Sequence, residues 1–127
     1  MTTALAVDLG SASGRVIAGT ILDGRLEVEE IHRFKHQATR DESGSLIWDV
    51  DTMWEQTLEG LKKAVARFPD AVCVSVDTWG VDFVPLDAKG ERCGAARAYR
   101  DERTTRTLEA FRSRIDDRSF FEMSGNQ

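Results

Sequence analysis

Cysteine is scarce in this 127-residue sequence: it has only Cys73 and Cys93, and no Cys-x-x-Cys pair. A disulfide scaffold is therefore excluded, and there is no cysteine motif for zinc or redox chemistry. Long apolar runs are also missing, because no segment approaches the ~20 residues of a membrane span. The N-terminus lacks a basic region, and Asp8 interrupts its apolar run too early for a signal peptide. We expect a cytoplasmic protein that does not cross a membrane.

Positive charge is in the minority, with 17 Lys and Arg residues against 22 Asp and Glu residues. The net charge of -5 opposes non-specific attraction to nucleic acid or to an anionic membrane, so neither is an expected partner. Hydrophobic residues make up 41% of the chain and charged residues 31%, which is typical of a soluble folded protein. The length fits one domain.

Short apolar runs separated by turns predict the first half of the fold. Runs at 4–9, 15–22 and 26–34 predict an antiparallel three-strand meander, with the turn Asp23-Gly24 between its second and third strands. Residues 37–45 are predicted as a loop. A helix over about 51–67 is predicted from a capping box, Thr52-x-x-Glu55, and from apolar residues at spacings of three and four: Val50, Trp54, Leu58, Leu61, Val65 and Phe68.

The second half of the sequence continues the alternation of strands and helices. Pro69 ends the helix, and the apolar run 71–76 predicts a strand that returns to the sheet interior. A further strand over 81–86, a turn at 87–90 and a second helix beyond Arg100 follow. The fold class is α/β, a mixed sheet with helices packed on it. Apolar residues within 120–127 lead us to expect a fragment, completed by self-association or by pairing with a missing remainder.

The loop after the first strand is the first candidate site. Its glycines, Gly10 and Gly14, could turn backbone N–H groups toward phosphate oxygens, and its serines and Arg15 could add hydrogen bonds or charge. Asp8, at the strand end, could hold Mg²⁺. The spacing matches neither a Walker loop nor a dinucleotide fingerprint. A hairpin turn with solvated serines is the alternative interpretation.

The segment after the predicted strand 71–76 is the second candidate site. It brings together two carboxylates, a hydroxyl, an indole and a bare glycine backbone, as sugar recognition requires: Asp77, Thr78, Trp79, Gly80 and Asp82. Ligands of open α/β sheets bind beyond the carboxyl ends of strands. The alternative is a tight connection between strands, with Trp79 filling the core.

Three further groups of polar residues have structural interpretations. His32 and His36 would lie about 13 Å apart in a strand, which argues against a metal site. Asp49 and Asp51 are interpreted as helix-entry residues beside the capping box. A run of arginines contains acidic neighbours, which favours a solvated or ion-paired segment over a phosphate or RNA patch: Arg97, Arg100, Arg103 and Arg106.

Several segments together resemble the N-terminal part of the FGGY carbohydrate kinases, and within that family the rhamnulokinase group. The glycine loop is shared with the wider actin-like ATPase superfamily. The other matching segments are Glu30-Ile31-His32-Arg33-Phe34, Trp48-Asp49-Val50-Asp51, residues 75–84 and Ala98-Tyr99-Arg100-Asp101-Glu102-Arg103-Thr104. Among them, the runs 31–34 and 77–83 are much more specific. Where family members are expected to have Ala-Ser-Ser, this loop has Ser11-Ala12-Ser13, so the role of each serine stays open.

This resemblance implies an RNase H-like, actin-like fold, with residues 1–127 forming part of a single FGGY N-terminal domain. It implies an ATP-dependent kinase that phosphorylates the 1-hydroxyl of L-rhamnulose, with ATP and Mg²⁺ as cofactors. The residues at 8 and 10–15 would bind ATP, with Mg²⁺ on Asp8: Asp8, Gly10, Ser11, Ala12, Ser13, Gly14 and Arg15. The segment 77–82, with Gly80 at its centre, would contact the sugar.

The same resemblance implies that this chain is incomplete as a catalyst. The catalytic aspartate and the adenine pocket of the family lie in a part that this sequence does not contain, so the chain alone is expected to be inactive. Two alternatives stay open: another FGGY ketose kinase, or a non-catalytic module that binds a sugar or a nucleotide.

Overall fold

The computed structural model describes residues 1–126 as six strands and three helices. In chain order these are β1 (Thr2–Leu9), β2 (Ser13–Leu22), β3 (Arg25–Lys35), β4 (Thr39–Arg40), β5 (Leu46–Ile47), α1 (Val50–Arg67), β6 (Val74–Thr78), α2 (Arg103–Arg112) and α3 (Asp117–Ser124). The main sheet has the strand order β3-β2-β1-β6. Strands β1, β2 and β3 are antiparallel, and β6 returns through α1 to run parallel to β1. The predicted meander and helical crossover are confirmed.

The β2–β3 hairpin explains why the alternation in the third strand is imperfect. Its turn has positive φ at both Asp23 (50°) and Gly24 (76°), as the Asp-Gly dipeptide predicts for a tight hairpin. Further along, Val16 is opposite His32 but Ile17 is opposite Glu30, so the register shifts by one residue. Such a bulge moves the side chains beyond it to the other face of the strand.

Helix α1 covers one face of the sheet. The residue that caps its first turn is not the one predicted from the sequence. The N-cap is Asp49, whose side chain accepts hydrogen bonds from Thr52 N (2.9 Å) and from Thr52 Oγ1 (2.7 Å). The capping box with Thr52 as N-cap is therefore wrong. Asp49 is a helix-entry residue, as predicted, and so is Asp51, which lies in the first turn and forms an ion pair with Arg92 at 2.6 Å.

The buried face of α1 differs from the predicted apolar stripe. Its buried residues are Met53, Thr57, Gly60 and Ala64, whereas three members of the predicted stripe are exposed, namely Trp54, Leu58 and Val65. The helix lies so close to the sheet that a Cβ at Gly60 would come within 2.5 Å of Val16 Cγ2. Close approach selects small residues at the centre of this face. The other three members of the predicted stripe, Val50, Leu61 and Phe68, are partly buried against the core, so the prediction is confirmed for half of its residues.

Two hydrophobic clusters form the core. The first joins β1 and β2 to α1 through Leu5, Val7, Val16, Ala18 and Ala64. The second lies near the carboxyl end of β1 and consists of Phe34, Trp48, Met53, Ala96 and Ala98, with Trp79 packed against it. The second cluster fixes the segments that surround both candidate sites.

Strand β6 lies at the open edge of the sheet, and its residues are exposed. The prediction that this strand is interior is therefore wrong for the described residues, although its pairing with β1 is as predicted. Its valines, Val74 and Val76, align with Leu5 and Val7 of β1 but have no helix over them, because α1 packs on β2 and β3.

The predicted strand over 81–86 does not form. Val81 has φ +71°, and Pro85 has no N–H to donate, so only an isolated bridge joins Leu86 to Arg92 around the predicted turn. The predicted loop over 37–45 contains a short strand, β4, paired with β5. The predicted second helix is α2, and α3 was not predicted. Both helices lack buried residues.

Within residues 1–126, no helix is both long and apolar enough to cross a membrane. Both cysteines are exposed and unpaired.

Candidate functional site

The two candidate loops leave the sheet at the same edge. Strands β1 and β6 are parallel and in register, with Asp8 opposite Asp77 and Leu9 opposite Thr78. Beyond their ends, Trp79 N donates a hydrogen bond to the Leu9 carbonyl at 3.2 Å. The loop at 10–14 and the segment at 77–82, predicted separately, therefore begin side by side.

Asp8 is the central charged residue of this edge. It lies opposite Arg15 on β2, and Arg15 Nη2 contacts Asp8 Oδ2 at 2.8 Å. Its other neighbour in the sheet is Asp77, and aligned residues of parallel strands project from the same face, about 5 Å apart. At the start of the glycine loop, Asp8 thus lies between Arg15 on one neighbouring strand and Asp77 on the other.

The donor set of this edge suits a magnesium ion shared with phosphate oxygens. Mg²⁺ is usually bound by one or two carboxylates together with waters and phosphates. Asp8 and Asp77 supply that number of carboxylates. Within residues 1–126, no group of three or more His, Cys, Asp or Glu side chains could hold a metal by itself.

The glycine loop is closed by its own hydrogen bond and by packing on β3. Gly10 N donates to the Ser13 carbonyl at 3.0 Å, so this amide is used inside the turn. Neither Gly10 nor Gly14 has positive φ. A Cβ at Gly14 would come within 2.2 Å of the Phe34 ring, so packing explains this glycine. Ser11 and Ala12 are the loop residues that face the adjacent cavity.

That cavity has a volume of about 640 Å³ and lies between the glycine loop and the segment 98–100. Its wall includes Ser11, Ala12, His36, Trp48, Tyr99 and Arg100. No pattern in the sequence marked His36, Trp48 or Tyr99 as neighbours of the glycine loop. The tryptophan and tyrosine stood in family-like motifs, but only the tertiary fold brings them to this wall.

Burial lowers the pKa of His36, and the nearby backbone of Gly10 opposes that shift. Burial therefore favours the neutral form of this imidazole. Neither ring nitrogen has a hydrogen-bond partner within residues 1–126. His32 points elsewhere, with its Nε2 3.2 Å from Gln56 Oε1 on α1. The two histidines thus serve different parts of the fold.

The residues of the second candidate loop point in different directions. Asp82 Oδ2 accepts hydrogen bonds from the indoles of Trp48 and Trp79, and Trp79 packs against the second core cluster. Gly80 and Val81 are exposed instead, and no atom lies within 4 Å of a Cβ built on Gly80. The glycine backbone is the part of this loop that is open to a ligand.

The arginine-rich segment is held by polar contacts, in line with the ion-paired interpretation. Asp101 is 5% exposed and accepts hydrogen bonds from Leu46 N (2.7 Å) and Arg103 N (3.0 Å). Those backbone donors, Leu46 first, hold the pKa of Asp101 below its usual range. The Arg100 guanidinium lies over the Tyr99 ring, 5.1 Å from its centroid. Asp101 thereby fixes the wall of the cavity to β5.

The family model for the N-terminal domain of FGGY carbohydrate kinases matches residues 3–127. The chain belongs to the FGGY family of carbohydrate kinases. It is 36% identical over 122 residues to the rhamnulokinase of Bacillus subtilis (strain 168), covering 96% of this chain and 25% of that protein. It is 40% identical over 123 residues to the rhamnulokinase of Oceanobacillus iheyensis, covering 97% of this chain and 26% of the relative.

Solved structures of FGGY kinases share the fold. A ligand-bound xylulose kinase from Lactobacillus acidophilus matches with a TM-score of 0.78 and 10% identity, over 96% of this chain and 24% of that one. A gluconate kinase from the same organism matches with a TM-score of 0.77 and 10% identity, over 95% of this chain and 24% of that one. The actin-like fold predicted from the resemblance is confirmed. The chain spans about a quarter of the length of these FGGY relatives.

Proposed function

We propose that this chain is the phosphate-binding and sugar-binding part of an ATP-dependent kinase that phosphorylates the 1-hydroxyl of L-rhamnulose. One observation carries the proposal: the alignment of Leu9 with Thr78 starts the phosphate-binding and sugar-binding loops side by side. Phosphoryl transfer requires the γ-phosphate and the attacking hydroxyl to be held next to each other and in line. An FGGY domain with these two loops at one edge meets that requirement.

We assign one group of residues to ATP with its Mg²⁺ and another to the sugar. Ser11, Ala12 and Ser13 would contact the ATP phosphates, with Gly10 and Gly14 shaping their loop. Asp8 and Asp77 would hold Mg²⁺, which when bound neutralises phosphate charge. Arg15 balances the charge of Asp8 through their ion pair. Gly80 would present its backbone to the sugar, because within residues 1–126 no atom beyond its two chain neighbours lies within 4 Å of a Cβ built on it.

The transfer itself needs groups beyond this chain. The oxygen of the sugar 1-hydroxyl forms a bond to the γ-phosphorus while the bond to the β–γ bridging oxygen breaks, and ADP leaves with that electron pair. The hydroxyl proton passes to a general base. The family resemblance assigns that base to a later aspartate. This chain therefore positions substrates and does not take the proton.

Similarity to the curated relatives supports L-rhamnulose as the substrate. Identity to the two rhamnulokinases is 36% and 40%, whereas it is 10% to 18% to the solved xylulose and gluconate kinases. ATP is abundant in the cytoplasm, which we propose as the compartment. We also propose that the exposed valines of β6 pair with the remainder of the kinase rather than with nucleic acid or a membrane.

A hybrid kinase tests this function. This chain would replace the matching 122 residues of the Bacillus subtilis rhamnulokinase, and ADP release would be followed with L-rhamnulose, D-xylulose and no sugar. We expect turnover with L-rhamnulose in the hybrid and none in the 127-residue chain alone. Preference for D-xylulose would indicate another ketose kinase. Nucleotide or sugar binding without any turnover would indicate a binding module.

A further inference from the structure

One carboxylate oxygen joins two tryptophan side chains. Asp82 Oδ2 accepts a hydrogen bond from Trp48 Nε1 at 2.7 Å and another from Trp79 Nε1 at 2.5 Å. Trp48 directly precedes the cap of α1, whereas Trp79 and Asp82 belong to the loop after β6. Hydrogen bonds to an ionised acceptor are stronger than those between neutral groups. This carboxylate therefore ties the loop to the start of α1.

The indole of Trp79 is also held on its face. The His36 ring stacks on it with centroids 5.6 Å apart and an interplanar angle of 26°. The same imidazole meets Trp48 edge-on, and the two indole centroids are 5.0 Å apart. Because Trp48 is only 8% exposed, this aromatic group is anchored in the core. Trp79 is thus fixed by Asp82 at its nitrogen and by His36 at its ring.

The residues between Trp79 and Asp82 protrude from this anchored group. Val81 is 81% exposed and has φ +71°, a conformation that a β-branched residue rarely adopts. Such strain persists only where the surrounding structure fixes the backbone on both sides. Here the flanking side chains, Trp79 and Asp82, are hydrogen-bonded to each other. Their contact closes the loop and leaves Gly80 at its outer surface.

We propose that Asp82 is a positioning residue for the sugar, acting through Trp79 and Trp48, and not a ligand of the sugar. The proposal rests on the proposed function of the loop in sugar binding. One oxygen of Asp82 already accepts two indole N–H groups. The other is buried and has no hydrogen-bond partner within residues 1–126, so it is closed to a ligand that approaches over the surface of this chain. This replaces the sequence-based expectation that Asp82 contacts the sugar directly.

A double-mutant cycle between Asp82 and Trp48 separates these roles, because Trp48 lies outside the sugar loop. The variants Asp82→Ala, Trp48→Phe and their combination would be compared in the hybrid kinase by sugar KM, ATP KM and kcat. We expect Asp82→Ala to raise the sugar KM about tenfold, with kcat and ATP KM changed less than about threefold. Trp48→Phe should raise the sugar KM less. The sugar KM of the double variant should equal that of Asp82→Ala within about twofold.

Two further variants control for general destabilisation. Trp54→Phe changes an indole that is 60% exposed on α1 and should leave all three constants unchanged. Asp82→Asn keeps a carbonyl acceptor for the indoles and should restore most of the sugar affinity lost in Asp82→Ala. If the effects of Asp82→Ala and Trp48→Phe simply multiply, or Trp48→Phe leaves the sugar KM unchanged, Asp82 does not act through the tryptophans and the inference is overturned.

A second measurement needs no kinase activity. The near-UV circular dichroism of the 127-residue chain reports on the packed indoles, and Asp82→Ala should reduce it while Trp54→Phe should not. An unchanged spectrum in Asp82→Ala would contradict the inference that Asp82 holds the two indoles in place, even if the sugar KM rose. A hybrid that is inactive on every sugar would instead refute the proposed function. The near-UV spectrum would then still test whether Asp82 holds the two indoles in place.

Discussion

Gly14 lies directly against the ring of Phe34, so close that a Cβ at position 14 would come within 2.2 Å of the ring carbon Cζ. The two residues are paired across β2 and β3, and Phe34 is 7% exposed within the second core cluster. The ring therefore has little room to move. A larger residue at position 14 would therefore disturb the fold itself.

We predict that Gly14→Ala destabilises the chain. Overpacking of a core contact typically costs about 1–3 kcal/mol of the free energy of unfolding. Chemical denaturation followed by far-UV circular dichroism measures this loss. Gly80→Ala is the matched control, since no atom lies within 4 Å of a Cβ there, and it should change stability by less than about 0.5 kcal/mol. Equal stability of the two variants would contradict the packing role of Gly14.

The elements near the N-terminus were predictable because local signals agree with the tertiary structure. The Asp23-Gly24 turn fixes the hairpin, and short apolar runs mark β1 and β2. The boundary of α1 also followed from its pattern and from Pro69. Its buried face did not follow, because hydrophobicity favours Trp54 over Gly60, whereas the distance between helix and sheet favours glycine.

The cap of α1 gives a second prediction. Asp49 accepts hydrogen bonds from the backbone and hydroxyl of Thr52, and these bonds hold its pKa below the usual range. Asp49→Ala removes the cap, so we expect the midpoint of thermal unfolding to fall by a few degrees at neutral pH. Glu55→Ala removes the acid of the sequence-predicted capping box and should leave the midpoint unchanged. If Glu55→Ala lowers the midpoint more than Asp49→Ala does, the capping box predicted from the sequence is supported instead.

The candidate site was predictable in its parts but not in its arrangement. Asp8 and Asp77 stood out in the sequence because each ends a predicted strand. Their alignment depends on the parallel register of β1 and β6, which no local pattern specifies. The roles of Trp79 and Asp82 also depend on Trp48, which is more than 30 residues away in the sequence. Long-range pairing therefore decided which polar residues are exposed.

A third prediction concerns pH. The N–H groups of Leu46 and Arg103 hold the pKa of Asp101 below its ordinary value of 3.8. A carboxylate with a lower pKa in the folded chain stabilises it above the unfolded pKa, and that contribution is lost as the pH falls through the folded pKa. Asp101→Asn should therefore lower the unfolding midpoint at neutral pH, and the difference from wild type should shrink below about pH 4.

A suitable control for Asp101 is Asp117→Asn, which breaks an exposed ion pair with Arg112. Such surface pairs contribute little, so this variant should match wild type at each pH. A difference between Asp101→Asn and wild type that stays constant down to the acid limit would show that the charge of Asp101 is not what stabilises the segment.

The last prediction tests whether Gly80 lies against the bound sugar. Its position is exposed and free of neighbouring atoms, so Gly80→Leu can be accommodated by the fold while its side chain fills the space over the loop. In the hybrid kinase we expect the sugar KM to rise more than about tenfold, a loss of about 1.4 kcal/mol or more in sugar binding, with little change in ATP KM. Gly80→Ala should have a smaller effect in the same direction. Because the open space argues against misfolding, an equal rise in both KM values would show that the loop does not distinguish sugar from ATP, and unchanged values would make Gly80 only a connecting residue.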